Sequence, residues 1–269
     1  MVWPRKYLPA NEARARVFFW DRQIVLTDFS SPENVRELGK LLLNYVLSTV
    51  YSNGVTPSSG SGKETQPLVF VSHSLGGLIA KAAIVEAMNS LQPVNIKGIV
   101  FLGTPHKGLN PQSLNAAVGE LVRRAVNNRL GQSLLSSYLE NGSRIKQGKD
   151  VGDYNELELE FIKMCRVQKI KVLTFAEEAS QLVPSDCASY PPSFASNFHV
   201  NKHHEDLGRI DGIHDIVYRE IVQFLLTVPT ERRRSRSEIE NLQMLERQRY
   251  APNTPSPPEC TIFLGCSDV

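Results

Sequence analysis

The sequence predicts an α/β fold, a mostly parallel sheet with helices on both faces. Strand-like runs at 68–71, 96–103 and 169–175 alternate with stretches whose apolar residues return at helical spacing. Continuous apolar strands belong to sheets covered on both sides, and strands separated by helices run parallel. Size and composition agree with this. A chain of 269 residues buries one large core or two small ones, and its 41% hydrophobic and 22% charged residues are ordinary for a globular protein.

Taken in order, Arg16-Val17-Phe18-Phe19-Trp20 is a short β-rich run ending at Asp21. Ser30-Ser31-Pro32-Glu33 opens a helix, with serine as N-cap and proline in the first turn. Across 35–51, the positions of Leu38, Leu41, Leu42, Tyr45, Val46 and Val50 predict one buried helical face. The Ser/Gly/Pro-rich stretch 54–66 reads as an exposed loop. Leu68-Val69-Phe70-Val71 is a buried strand, followed by a helix carrying Leu78, Ile79, Ala82, Ala83 and Ala87. A second buried strand covers 96–103, helices interrupted near 141–153 fill 109–167, and a third strand covers 169–175. A closing helix over 213–226 buries Ile216, Val217, Ile221, Phe224 and Leu225.

After Val228-Pro229 the character changes. Arg232-Arg233-Arg234-Ser235-Arg236 is basic, and Pro252, Pro255, Pro257 and Pro258 crowd a short segment. The expected organisation is one domain over 1–228 and a loosely ordered tail over 229–269, with at most a short helix at 237–248.

The chemistry concentrates where the first buried strand meets its helix. Val71-Ser72-His73-Ser74-Leu75-Gly76-Gly77-Leu78 has the strand–turn–helix context of a nucleophile elbow, one residue away from G-x-S-x-G because Ser72 stands at the first glycine position. Such a turn lifts Ser74 towards a substrate. A serine hydroxyl needs a base to take its proton, and the base, usually histidine, needs a carboxylate to hold its tautomer. In this architecture the chain order is serine, acid, histidine. His199, His203, His204 and His214 follow the third strand, and His204 is preferred because it sits in a polar loop just before the closing helix. Glu177 and Glu178 stand at the end of the third strand; Glu177 is preferred, with Asp186 in reserve. His73 reads as packing beside the nucleophile, and His106 precedes the acid in the chain, which argues against it as base.

Other chemistries are disfavoured. A net charge of +2 gives no case for nucleic acid. No window reaches the roughly 18 apolar residues of a membrane span, and no apolar leader follows Met1. Cys165, Cys187, Cys260 and Cys266 lack C-x-x-C spacing and read as reduced thiols, as in an intracellular protein. Gly60-Ser61-Gly62-Lys63-Glu64 misses the P-loop pattern at Pro57 and Glu64. His204-Glu205 has Gly208 where a zinc-protease helix needs its second histidine, so no metal and no cofactor are expected.

Four stretches resemble the α/β-hydrolase domain of the serine-active-site-containing protein family, and the lipase-like domains at the front of fungal NACHT and ankyrin-repeat proteins. They are Trp3-Pro4-Arg5 with Leu8-Pro9 and Ala15-Arg16-Val17; the elbow; Gly98-Ile99-Val100-Phe101-Leu102-Gly103-Thr104-Pro105-His106-Lys107-Gly108; and Phe175-Ala176-Glu177, Val183-Pro184 and His203-His204-Glu205-Asp206-Leu207 in that order. The resemblance covers about 1–228. It implies an α/β-hydrolase fold and a serine esterase or lipase-like enzyme. Its nucleophile would be Ser74, its acid Glu177 and its base His204, with the Leu75 amide in the oxyanion hole. It also implies a small-molecule ester or lipid substrate, peripheral membrane contact, and a cytoplasmic, mitochondrial or endoplasmic-reticulum setting. The sequence departs from the family in having no His-Gly dipeptide, the source of a second oxyanion amide, and it starts about where that loop would end. The first strands are therefore expected to be missing. The competing expectation is a non-catalytic module of the same fold, for signalling or lipid handling, with an incomplete oxyanion hole.

Overall fold

The computed structural model describes residues 3–11, 16–21, 31–51, 67–92, 94–106, 154–179, 182–228 and 261–266. The loop expected at 54–66, the helices expected across 109–153, the basic run and the short helix expected at 237–248 lie outside these residues.

The described elements are α1 (Trp3–Asn11), β1 (Arg16–Asp21), α2 (Pro32–Val46) with a π-helical turn (Leu47–Tyr51), β2 (Leu68–His73), α3 (Gly76–Asn89), β3 (Ile96–Leu102), α4 (Asn155–Gln168), β4 (Lys171–Glu177), β5 (Ser196–Val200), a 3₁₀ turn (His204–Leu207), α5 (Ile216–Thr227) and β6 (Thr261–Cys266). The sheet order is β1-β6-β2-β3-β4-β5, and every pairing among these strands is parallel. This is the expected α/β architecture. Among the described residues no helix is long and apolar enough to cross a membrane.

Strand alternation divides the core into two layers. Phe70, Ile99, Phe101 and Val172 point into one cluster with Val35, Leu38, Leu42 and Val46 of α2, the apolar residues of α3, and Leu157, Phe161 and Cys165 of α4. Val69, Val71, Val100, Leu102, Leu173 and Phe175 point into the other, against Trp3 and Leu8 of α1 and Val217, Tyr218, Ile221, Phe224 and Leu225 of α5. Both faces of the sheet are thus covered, as continuous apolar strands require. Helix α3 is buried almost all round because α2 crosses it closely: a Cβ on Gly39 would lie 2.6 Å from Ala82 Cβ. Helix α2 begins as expected, with the Ser31 side chain accepting from Asn34 N at 3.2 Å.

Several expectations shift in detail. In α2, Leu41 and Tyr45 are exposed, and Val35 and Leu43 join the buried face instead. The closing helix starts at Ile216, where the Asp215 side chain caps it by accepting from Val217 N, and the exposed Ile216 cedes its expected place in the core to Tyr218. Strand β4 starts at Lys171, because Lys169 takes a left-handed conformation that ends α4. Two strands had no counterpart among the sequence-based expectations. One is β5, an edge strand beside β4. The other is β6, which lies in the stretch expected to be a loose tail and runs between β1 and β2. The position beside β2, between it and β1, is therefore filled from the far end of the chain.

Candidate active site

The candidate site lies at the carboxyl ends of β2, β3 and β4, where functional groups gather in open parallel sheets. Ser74 follows β2 directly and takes φ 54, the left-handed region that costs a non-glycine residue energy. Hydrogen bonds hold it there. Its amide donates to Leu102 O at 2.8 Å, and its carbonyl accepts from Gly77 N at 3.1 Å and from Thr104 Oγ1 at 3.0 Å. The turn tolerates no side chain at Gly77, where a Cβ would lie 2.1 Å from Thr104 Oγ1. Ser72 is buried, with its hydroxyl donating to Val100 O at 3.3 Å. Leu75 leads into α3. The first amides of a helix have no acceptor within it and carry the positive end of its dipole, so Leu75 N–H stands at an anion-favouring position.

His204 opens the 3₁₀ turn after β5 and is buried. Its Nε2 lies 2.8 Å from Ser74 Oγ and its Nδ1 lies 2.5 Å from Glu177 Oε2. A carboxylate only accepts, so the ring proton sits on Nδ1 and leaves Nε2 to accept from the serine hydroxyl. Glu177 is the last residue of β4 and is fully buried. Its other oxygen, Oε1, accepts from the amides of Leu182 and of Val183, the latter at 3.1 Å, which aims Oε2 at the histidine.

The structure therefore brings together Ser74, Glu177 and His204, with Leu75 beside them. It leaves the alternatives outside: Glu178, Asp186, His199, His203 and His214 are exposed. His106 is buried elsewhere, its ring packed on Phe101 and Tyr190 at centroid distances of 4.8 and 4.1 Å, and burial holds its pKa well below the usual histidine value.

Supporting residues went unread in the sequence. A Cβ on Gly103, at φ 61, would lie 3.0 Å from His204 Cε1, so this glycine lets the loop after β3 close over the ring. Thr104 braces the elbow through its bond to the Ser74 carbonyl. His73 Nε2 lies 2.9 Å from the His204 carbonyl oxygen. Lys81 of α3 is fully buried, paired with Glu158 of α4, and donates to the His106 carbonyl at 3.1 Å. The one sequence signal for that pair was a lysine inside the otherwise apolar run 78–85 of that helix. Among the described residues, no group of three or more His, Cys, Asp or Glu side chains is placed to hold a metal ion.

Residues 23–140 match a family model described as "Putative serine esterase (DUF676)". The chain is also similar to Protein SERAC1 of Danio rerio, with 26% identity over 183 residues, covering 65% of this chain and 24% of that protein. It is similar to Protein SERAC1 of Bos taurus as well, with 32% identity over the same length and coverage. The chain thus spans about a quarter of the length of these curated relatives. The matched family description is of a putative serine esterase, and neither comparison names a substrate.

Proposed function

We propose that the chain is a serine hydrolase of the α/β-hydrolase fold, cleaving a carboxylic ester, lipid esters included, through an acyl-Ser74 intermediate. One observation carries this reading: the hydrogen-bonded row from Ser74 Oγ through His204 to Glu177, at 2.8 and 2.5 Å, ending on a serine held at φ 54. In this mechanism Ser74 Oγ attacks the ester carbonyl carbon while its proton passes to His204 Nε2. Glu177 stabilises the imidazolium that results. The oxygen that gains charge is met by the Leu75 amide. Breaking the C–O bond releases an alcohol that takes the proton from His204. Water then repeats the sequence on the acyl-serine, so proton transfer, acyl transfer and hydrolysis all balance without a cofactor. An ester is preferred over a peptide because of the similarity to a putative serine esterase family. A lipid ester and contact with a membrane surface belong to the same proposal.

The test is labelling of the folded protein by a fluorophosphonate probe, beside Ser74→Ala and His204→Ala. Labelling of the parent, abolished by the first substitution and slowed at least ~10³-fold by the second, is the expected outcome. A cooperatively folded parent that takes no probe would favour instead a non-catalytic signalling or lipid-handling module.

A further inference from the structure

His73 lies outside the mechanism, yet it touches the same residue as its neighbour in the chain. Ser74 Oγ meets the His204 ring, while His73 Nε2 meets the His204 main-chain oxygen at 2.9 Å. A carbonyl oxygen only accepts, so His73 carries its proton on Nε2. The two histidine rings stand 4.9 Å apart at 41°, and Gly208 packs close to His73, where an added Cβ would lie 3.7 Å from His73 Cγ.

We infer that His73 is a positioning residue: it pins the loop that carries His204 to the strand that carries Ser74. The inference rests on reading those two residues as base and nucleophile. The loop needs such a tether. Its only helical structure is the single 3₁₀ turn His204–Leu207, too short to hold itself in place. Lys202 Nζ ties the loop to the Arg209 carbonyl at 3.3 Å and to the Asp215 carboxylate at 2.5 Å, but those bonds connect it to the approach to α5, not to the elbow. The Glu177 and Ser74 bonds fix the His204 ring, and the His73 bond fixes its backbone. Because His73 and Ser74 are consecutive, that bond sets the distance between nucleophile and base through one peptide unit.

The same geometry calls for a neutral ring. A positive charge on His73 would oppose the imidazolium formed on His204. Burial and the His204 ring both push its pKa down, to about 4, against the raising influence of its bond to the His204 carbonyl and of the Glu177 and Glu205 carboxylates. His73 therefore holds the base without competing with it for the proton.

The experiment compares His73→Leu and His73→Gln in the full chain. Leucine keeps apolar bulk without a donor, and glutamine returns an N–H near the Nε2 position. His73→Leu is expected to slow fluorophosphonate labelling of Ser74 about 10–100-fold, the scale of a misplacement of about 1 Å, with His73→Gln within about threefold of the parent. A leucine variant that labels at the parent rate, or a glutamine variant as slow as leucine, overturns the inference. Histidine ¹⁵N NMR decides it independently of activity. The parent should show His73 with its proton on Nε2 and neutral down to about pH 5, and the His204 Nδ1–H signal should survive His73→Gln but be lost in His73→Leu. A His73 proton on Nδ1, or a His204 signal unchanged in His73→Leu, overturns the inference even if the parent takes no probe. Failure of the parent to take the probe would by itself count against the hydrolase reading instead.

Discussion

Ser74 keeps its strained backbone only because its neighbours hold it, and His73 shows the same dependence in its charge. A left-handed non-glycine residue costs on the order of 1–3 kcal/mol. The Leu102 carbonyl, Gly77 amide and Thr104 hydroxyl offset that cost at Ser74. For His73 the consequence is a pH-dependent stability. Its pKa falls from 6.5 to about 4 on folding, chiefly because the ring is removed from water. Between those values the unfolded chain binds a proton that the folded chain refuses. This contribution to stability is therefore complete above about pH 6.5 and is lost as the pH falls towards 4. A shift of that size corresponds to at most about 3 kcal/mol; the half-buried position of the ring makes this an upper figure. Urea denaturation across this window should give a parent whose stability climbs with pH more steeply than that of His73→Leu. Equal slopes in the two proteins would show that another group carries the pH dependence.

Between elements, the Lys81–Glu158 pair ties together two helices on one face of the sheet. Lys81 on α3 reaches Glu158 on α4 and the carbonyl of His106 beyond β3, so a single ammonium joins three segments around the loop that braces the elbow. Burial pushes the lysine pKa down to about 8, with Glu158 acting against that fall. Removing one partner of a buried pair strands the other. Lys81→Met alone should cost about 3–5 kcal/mol, and adding Glu158→Leu should recover most of it. A denaturation double-mutant cycle with simply additive losses would refute that coupling. Such pairs are hard to read in a sequence because their worth depends on two residues far apart in the chain. What was legible was local. Strands β2, β3 and β4 and helix α3 announce themselves by apolar patterning, and Ser74 by its turn. In the sequence Glu177 is preferred because it directly follows Phe175-Ala176; it is the last strand residue, on the face of Leu173 and Phe175, whereas Glu178 lies past the strand end and is exposed. Strand β5 was missed because Ser-Asn-Phe-His-Val on a sheet edge has no alternation to detect, its burial running exposed, half-buried, half-buried, exposed, buried.

Strand β6 is a property of the whole molecule. Thr261–Cys266 has the local character of a strand, but only long-range pairing decides that it sits between β1 and β2. Its register sets Gly265 beside Ser72, so its carboxyl end runs along the flank of the elbow away from β3. Without it, β1 and β2 would present open edges, a template for pairing with other chains. A central parallel strand gives its amides to both neighbours, and proline there removes a donor that nothing replaces. Phe263→Pro should therefore cost at least about 2 kcal/mol, from one lost bond and one stranded carbonyl. It should also slow probe labelling of Ser74, because the strand that ends in the elbow loses its partner. Hydrogen exchange tests the premise directly. Amides of the most stable elements exchange only through near-global opening, so those of β6 should exchange as slowly as those of β2. Fast exchange in β6 beside a protected β2 would mean that the sheet holds together without this strand, and the expected losses in Phe263→Pro would go with it.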